Sequence, residues 1–486
     1  MKHQVDFLEL LQIDYEKYPV IAVVGGGGKT SLIYRLTDEL IDKGKRVIIT
    51  TTTHMAGESE LPFARGGDAV RVKELLDKER YVIAAEYEED TGKYVSLTEE
   101  KLEGLAVQLG TPSFVFDTDI LKKRAGWIRE MIHPAKLCFA IKANPFLVEA
   151  LEPQVDRYEV CSPGEFHICV ERKLPMEKIV LSGVNKEYED VRYAMEQGVI
   201  HYTAESRSQL ELVSRCADEL DRQVELLLRV TSGNQFGMSE ADVTECIRDR
   251  EKFPHVTMVG LQYFTGTQKK IMKKIAGEVE YIEDFARRLE EEEKFVTKVL
   301  EFGPGLGVPY FTKDDFDEDE RLLTEFMELF QKPRPYDIVF EMGRFLTASC
   351  GYYMTKIVDQ KKNDAVNVCI VDGGINHVNY YGQNMAMKTP ILSYFPQHSL
   401  EEKDEEEWTV YGSLCTVSDI LLKKLPLTDA RVGDYLVFHN IGAYSVTEGI
   451  YLFLSRKMPK IYLYSEDEGA VKLRDGLETW MLNTCR

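Results

Sequence analysis

Lys142 closes the apolar run LCFAIKANPF at residues 137–146. A lysine at the end of a buried strand has to be paired, mobile or chemically used, because an isolated ammonium is costly to bury. Three other stretches hold groups of the kind that chemistry requires. FGPGLG (302–307) offers closely spaced glycines whose open backbone N–H groups can hold a phosphate. FEMGR (340–344) sets a carboxylate, Glu341, just before a guanidinium, Arg344. VVGGGGKTS (23–31) puts Gly25 to Gly28, Lys29 and Thr30 where a strand turns into a helix, so N–H donors, a cation and a hydroxyl gather at a helix N-terminus. That loop is shorter than the full G-x-x-x-x-G-K-[ST] pattern, since Val23 stands where the first glycine belongs.

These residues lie far apart in the chain, so a fold must bring them together. Eight apolar runs follow one another, each succeeded by a helical pattern or a polar connection: LCFAIKAN, YEVCS, KIVLSG, IHYTA, VELLLRV, VGLQYF, VLEFGPG and DIVFEMG. Eight such strands over about 210 residues predict an α/β fold of the (β/α)8 barrel type. The C-terminal strand ends of that barrel converge on one face. Lys142, Glu159, Thr267, Gly305 and Glu341 all fall at or just past such ends. From YYMTKIVDQ (352–360) onward, strand-rich sequence without the alternation predicts an antiparallel β domain. Ahead of the barrel, VIAVVGGGGKTSLIYRLTDELIDKGKRVIITTTTHM reads as strand, glycine loop, amphipathic helix and strand. The expected organisation is a P-loop-like α/β module over residues 1–105, a barrel over 106–350 with 108–120 joining the β domain, and the β domain over 351–486.

The chain has 486 residues, 44% hydrophobic and 29% charged, a balance that fits two or three globular domains. Its net charge of −22 argues against nucleic acid or an anionic membrane as the main partner. No run reaches the roughly 18 apolar residues of a membrane span, and the first residues lack the apolar core of a signal peptide. Nine cysteines are scattered without a CxxC pair, as expected of reduced thiols in a cytoplasmic protein. Histidines and cysteines form no ligand-like cluster, so no metal site is expected.

From about residue 108 to the C-terminus, FAIKANP, EVCSPGEF, FGPGLGVPY, FEMGR, VDGGINH, YGSLCTVSD and GAY occur in one order. In this the chain resembles fold-type III pyridoxal-phosphate enzymes, the diaminopimelate and ornithine decarboxylase group. The resemblance implies pyridoxal 5'-phosphate as cofactor, a homodimer with shared active sites, and decarboxylation of an amino acid or amino-acid derivative. It implies Lys142 as the Schiff-base lysine, with Glu159, Phe264, Thr267, Gly303, Gly305, Arg344 and Tyr444 as further cofactor contacts. A site that keeps the lysine amine partly neutral would favour the linkage. Glu341 would face the pyridine nitrogen and keep it protonated, making the ring a strong electron sink. Alanine racemases of this fold place an arginine there, so the glutamate favours loss of CO2. By the same resemblance Cys415 reaches the neighbouring subunit's site and protonates Cα, a task open to a thiol acting as general acid.

The chain departs from the group at three places. Phe264 stands where the group has a stacking histidine; its ring can stack but cannot hydrogen-bond. Thr416 replaces the carboxylate that recognises a distal ammonium in diamine-forming members. INHVNYYGQN (375–384) lacks the arginine that holds a distal carboxylate. Thr416, Asp419 and Asn384 are expected to line an altered substrate pocket. At the other end of the chain, GGGGKT and GKRVIITTTTHM resemble the start of selenium-dependent hydroxylase accessory proteins. That resemblance implies a nucleotide, ATP or GTP, at Gly26, Gly27, Gly28, Lys29 and Thr30, although no acidic Walker B strand accompanies it. The competing readings are a racemase or epimerase on the same scaffold, and a non-catalytic, cofactor-binding or nucleotide-dependent accessory protein.

Overall fold

The computed structural model describes residues 97–362, 366–381, 386–399 and 404–485, and short pieces of the first 91 residues (36–37, 39–41, 43, 45, 47–49, 63–65 and 81–85). The chain divides into two compact units, Met1–Thr91 and Gly92–Arg486. In the first, β1 (Val47–Ile49), β2 (Phe63–Arg65) and β3 (Tyr81–Ala85) form a parallel sheet in the order β1-β3-β2.

The second unit opens with the helix Glu99–Leu109, capped by Thr98. This helix belongs with the later β sheet: Leu97 N donates to Tyr352 Oη at 3.2 Å and Ser393 Oγ donates to Glu99 Oε1 at 2.7 Å. After β4 (Ser113–Asp117) comes the helix Thr118–Ile132, which Asp117 caps by accepting from Asp119 N and Ile120 N.

All eight apolar runs fold into one closed parallel barrel. Its strands are β5 (Lys136–Ala140), β6 (Arg157–Val160), β7 (Ile179–Leu181), β8 (His201–Ala204), β9 (Val224–Val230), β10 (Val256–Phe264), β11 (Val299–Gly303) and β12 (Asp337–Met342), with β12 closing onto β5. Serines start three of the crossover helices: Ser162, Ser206 and Ser239 accept from the N–H of Glu165, Gln209 and Asp242. The two-residue period of each strand then sorts side chains. Phe302 and Phe340 face out onto Phe326 of the helix Glu318–Glu328, at ring distances of 6.2 and 5.0 Å. Each such buried ring contributes about 2–3 kcal/mol of apolar transfer. Glu301 and Glu341, one residue away on the same strands, face in.

Arg124 ties the helix before the barrel to the helices that end it. Its Nη1 pairs with Asp319 at 2.6 Å, its Nε donates to Phe345 O at 3.1 Å, and its guanidinium lies between the rings of Trp127 and Phe345.

The β domain contains β13 (Gly351–Lys362), β14 (Asn367–Val371), β15 (Leu392–Phe395), β16 (Glu405–Tyr411), β17 (Ile420–Thr428), β18 (Tyr435–Phe438), β19 (Lys460–Ser465) and β20 (Gly469–Arg474). Their main order is β17-β16-β14-β13-β4-β19-β20, with β18 bridging β13 and β15. Most pairings are antiparallel, but β14–β16 and β4–β19 are parallel. No described helix is long and apolar enough to cross a membrane.

Candidate active site

β5 ends at Ala140, and a single tight turn, Ile141–Ala143, carries Lys142 to the barrel mouth. The β-domain loop at 442–447 is bonded to this turn. Asn144 Nδ2 donates to Gly442 O at 3.0 Å, Tyr444 N to Ala143 O at 2.7 Å, and Thr447 Oγ1 to Lys142 O at 3.2 Å. Lys142 Nζ donates to Glu159 Oε2 at 2.5 Å and lies 3.6 Å from both Glu341 Oε1 and Cys161 Sγ. Burial pulls the ammonium down, but its acidic neighbours, Glu159 foremost, outweigh that and hold Lys142 well above its ordinary range. With Glu159 in direct contact, the ammonium form of Lys142 is favoured over the partly neutral amine that would ease the linkage.

The two carboxyls beside it behave differently. Burial would raise Glu159, yet the charge and hydrogen bond of Lys142 keep it below its usual range. Glu341 is pushed up to about 8, by burial first and then by the Glu159 charge. The pair is thus pushed apart, Glu159 toward its carboxylate and Glu341 toward its protonated form.

A second group of residues gathers where β11 ends. Lys269 N donates to Gly305 O and Gly307 N to Lys269 O, each at 2.9 Å, so the loops after β10 and β11 are zipped together. Gly305 has φ of +59°, and a Cβ there would sit 1.9 Å from Gly266 O, so only glycine fits. The Phe264 ring fills the space a Cβ on Gly303 would need, 2.5 Å away. Thr267 is half-buried in the same pair of loops.

Arg344, just past β12, is buried. Its Nη1 donates to Tyr310 Oη at 2.9 Å, and the rings of Tyr444 and Tyr381 lie 4.4 and 5.2 Å from its Cζ. Its Nε is buried with no partner among the described residues. A buried donor left unsatisfied costs about 1–3 kcal/mol, which suits a site completed by an acceptor from outside the chain. Tyr444 is held at φ of 68°, a conformation that a tyrosine adopts only under constraint.

Other candidates sit elsewhere in the described chain. Cys415 and Thr416 lie on the 412–419 loop of the β domain. Cys415 is exposed, in a shallow concavity with Val358, Asp372, Ser413 and Arg456 that no barrel residue lines. Asp419 is buried, and its carboxylate accepts from Ile375 N at 2.8 Å and Leu414 N at 2.7 Å. His377 is packed between Tyr353 and Asn376, and burial lowers it to about 3. Asn384 and the glycine-loop residues Gly26, Gly27, Gly28, Lys29 and Thr30 lie outside the described residues.

Three buried polar residues behind Glu341 escaped the sequence reading: Arg157, Gln262 and Glu301. Their signal is positional, because each occupies an inward register of an otherwise apolar strand.

Comparison with known proteins finds matches to two family models. Residues 118–348 match the family described as pyridoxal-dependent decarboxylase, pyridoxal binding domain, and residues 21–119 match the YqeC protein family. The L-glutamyl-[BtrI acyl-carrier protein] decarboxylase of Niallia circulans is 24% identical over 391 residues, covering 75% of this chain and 91% of that protein. The diaminopimelate decarboxylase of Aquifex aeolicus is 24% identical over 391 residues, covering 76% of this chain and 90% of that enzyme. The crystal structure of diaminopimelate decarboxylase from M. jannaschii in complex with L-lysine aligns with a TM-score of 0.70 at 22% identity, covering 79% of this chain and 94% of that one. That last likeness is one of fold.

Proposed function

With residues 118–348 a pyridoxal-binding domain of the fold-type III decarboxylase group, preceded by a YqeC-like segment, we propose that this carboxy-lyase removes CO2 from the Cα of an amino acid or amino-acid derivative. The observation that carries this reading is the pair Lys142 and Glu341, which face each other at 3.6 Å across one barrel mouth.

The residues fit pyridoxal 5'-phosphate. Lys142 offers an amine for its aldehyde and Glu341 a carboxyl for its ring nitrogen. Gly303, Gly305, Thr267, Arg344 and Tyr444 would hold the phosphate, and Phe264 would lie against the ring. Arg344 Nε, the buried donor without a partner among the described residues, is the best support for the phosphate assignment. Bound there, the cofactor supplies a sink for the electron pair left on Cα when CO2 departs.

The chain's own groups do the rest. Lys142 must lose a proton before its amine can react, and Glu159 at 2.5 Å holds that amine in place. Glu341 would stand opposite the ring nitrogen and favour its protonated form. Cys415, supplied by the neighbouring subunit of a homodimer, returns a proton to Cα. Its exposure, on a loop whose concavity holds no barrel residue, supports that role. Thr416 offers a neutral hydroxyl where diamine-forming members carry a charge, which favours a substrate without a free distal ammonium. One relative acts on a carrier-bound glutamyl group, so carrier-linked amino acids belong in any substrate panel. The glycine loop at 25–30 supports, by its sequence alone, a separate ATP or GTP site, which a titration of the full chain would test. A cytoplasmic location suits nine free thiols.

The test follows CO2 release and Cα deuterium together in heavy water, over free and carrier-linked amino acids of both configurations, with Lys142→Ala as the blank. CO2 release with one deuterium at Cα is the expected result. Deuterium exchange without CO2 would replace the reading by racemisation, and silence across the panel would favour the accessory-protein reading.

A further inference from the structure

The barrel buries a row of polar side chains behind Glu341 that no proposed contact with the cofactor explains. Gln262 on β10 and Glu301 on β11 are 1% and 0% exposed and pair in register. Gln262 Nε2 donates to Glu301 Oε1 at 2.8 Å and reaches Glu341 Oε2 at 3.4 Å. Arg157 on β6 stands 3.7 Å from the other oxygen of Glu301.

Such a row is expensive. A well-packed apolar residue at each place would cost the fold less. Gln262 Oε1 and Glu301 Oε2 have no hydrogen-bond partner among the described residues, so the row does not repay its burial through its own bonds. What it does achieve is to present a donor to one chosen oxygen of Glu341. Oε2 is taken by Gln262, and Oε1 is the oxygen that faces Lys142.

We propose that Gln262 is a positioning residue for the decarboxylation, its amide holding the Glu341 carboxyl so that Oε1 faces the Lys142 pocket, with Glu301 and Arg157 anchoring the amide from behind. The inference rests on the reading of Lys142 and Glu341 as cofactor contacts and adds a residue to it. An amide N–H can only donate, so it engages Oε2 as an acceptor and leaves Oε1 turned to the pocket. Glu341 is also faced by Lys142, Glu159, Glu301 and Arg229; burial and then the Glu159 charge raise it, and Glu301, itself pushed up to about 7 by burial, adds to that. Replacing the amide by a carboxylate would add a further like charge and raise Glu341 again. Replacing it by an alkyl group would leave the carboxyl free to turn.

The test compares the full-length wild type with Gln262→Leu and Gln262→Glu, each loaded with pyridoxal phosphate. It reads four quantities: cofactor affinity, the pH midpoint of the bound cofactor's visible absorbance, melting temperature, and kcat and KM. For Gln262→Leu, kcat is expected to fall about 10–100-fold, with KM and cofactor affinity within a few-fold of wild type, because orientation and not binding is lost. Its absorbance midpoint should move, and that of Gln262→Glu should move upward. If Gln262 merely packs the barrel, both variants will melt earlier while the midpoint and the kcat per bound cofactor stay at wild-type values, which overturns the proposal. Should Gln262→Leu fail to fold, the near-isosteric Gln262→Glu decides alone, and an unmoved midpoint overturns the proposal. The parent reading fails separately: a wild type with no cofactor band, or a band that survives Lys142→Ala, would overturn it and this inference with it.

Discussion

Glu341→Gln is expected to make the cofactor-free protein more stable at alkaline pH while abolishing its activity. The Glu341 carboxyl is carried from 4.5 to about 8, by burial and then by the charge of Glu159. An acid whose value is raised on folding binds its proton more tightly in the folded state. Folding is therefore penalised once the unfolded carboxyl ionises, and the penalty grows with pH until the folded carboxyl has ionised as well. Taken alone, that interval corresponds to about 5 kcal/mol. Charge shared with Glu159, Glu301 and Lys142, and the high effective dielectric of real interiors, reduce the expectation to about 1–2 kcal/mol. For a unit of this size that is a melting shift of about 1–2 °C. The loss of the 3.6 Å contact to Lys142 subtracts little, because Glu159 remains paired with the lysine. Calorimetry of the cofactor-free protein near pH 5 and near pH 8.5 is the assay. The two proteins should melt together at the lower pH, and the variant should melt later at the higher one. A variant that melts earlier at pH 8.5, or gains equally at both, would refute the electrostatic reasoning.

Two further substitutions probe the frame around the site. Gly305→Ala forces a Cβ to within 1.9 Å of Gly266 O at φ of +59°, and fluorescence titration should show cofactor affinity weakened about 10–100-fold as the strained loop shifts; wild-type affinity would mean that the loop holds no phosphate. Arg124→Ala leaves Asp319 buried and unpaired, with an expected cost of about 3–5 kcal/mol by denaturant unfolding, much of it recovered in the double variant Arg124→Met, Asp319→Leu; additive losses in the double variant would show that the pair is not coupled.

The barrel was legible because strand and helix periods alternate eight times, so that even β7, only three residues long, could be placed by its neighbours. Lys142 stood out for being polar at the end of an apolar run. Its protonation did not, since that depends on Glu159 lying 2.5 Å away. That distance follows from the register of Ala140 against Glu159 across β5 and β6, which no local pattern encodes. Gln262 and Glu301 were hidden for a related reason. A polar residue inside an apolar strand looks like the solvent face of a half-buried sheet until closure turns that face inward. The parallel pairing of β4 with β19 was equally out of reach, because its partners come from opposite ends of the second unit.

The position of β4 has one more consequence. This strand lies between β13 and β19, yet the whole barrel is strung between β4 and β13 along the chain. As the polypeptide leaves the ribosome, β4 emerges first and waits with both edges open while eight barrel strands are synthesised and can close without it. Gly442, Tyr444 and Thr447, which fasten the Lys142 turn, arrive only after the whole barrel and β18 have been made. A nascent or C-terminally clipped protein can therefore own a finished barrel and its lysine without owning a finished pocket. Competence is withheld until residues 442–447 have been made.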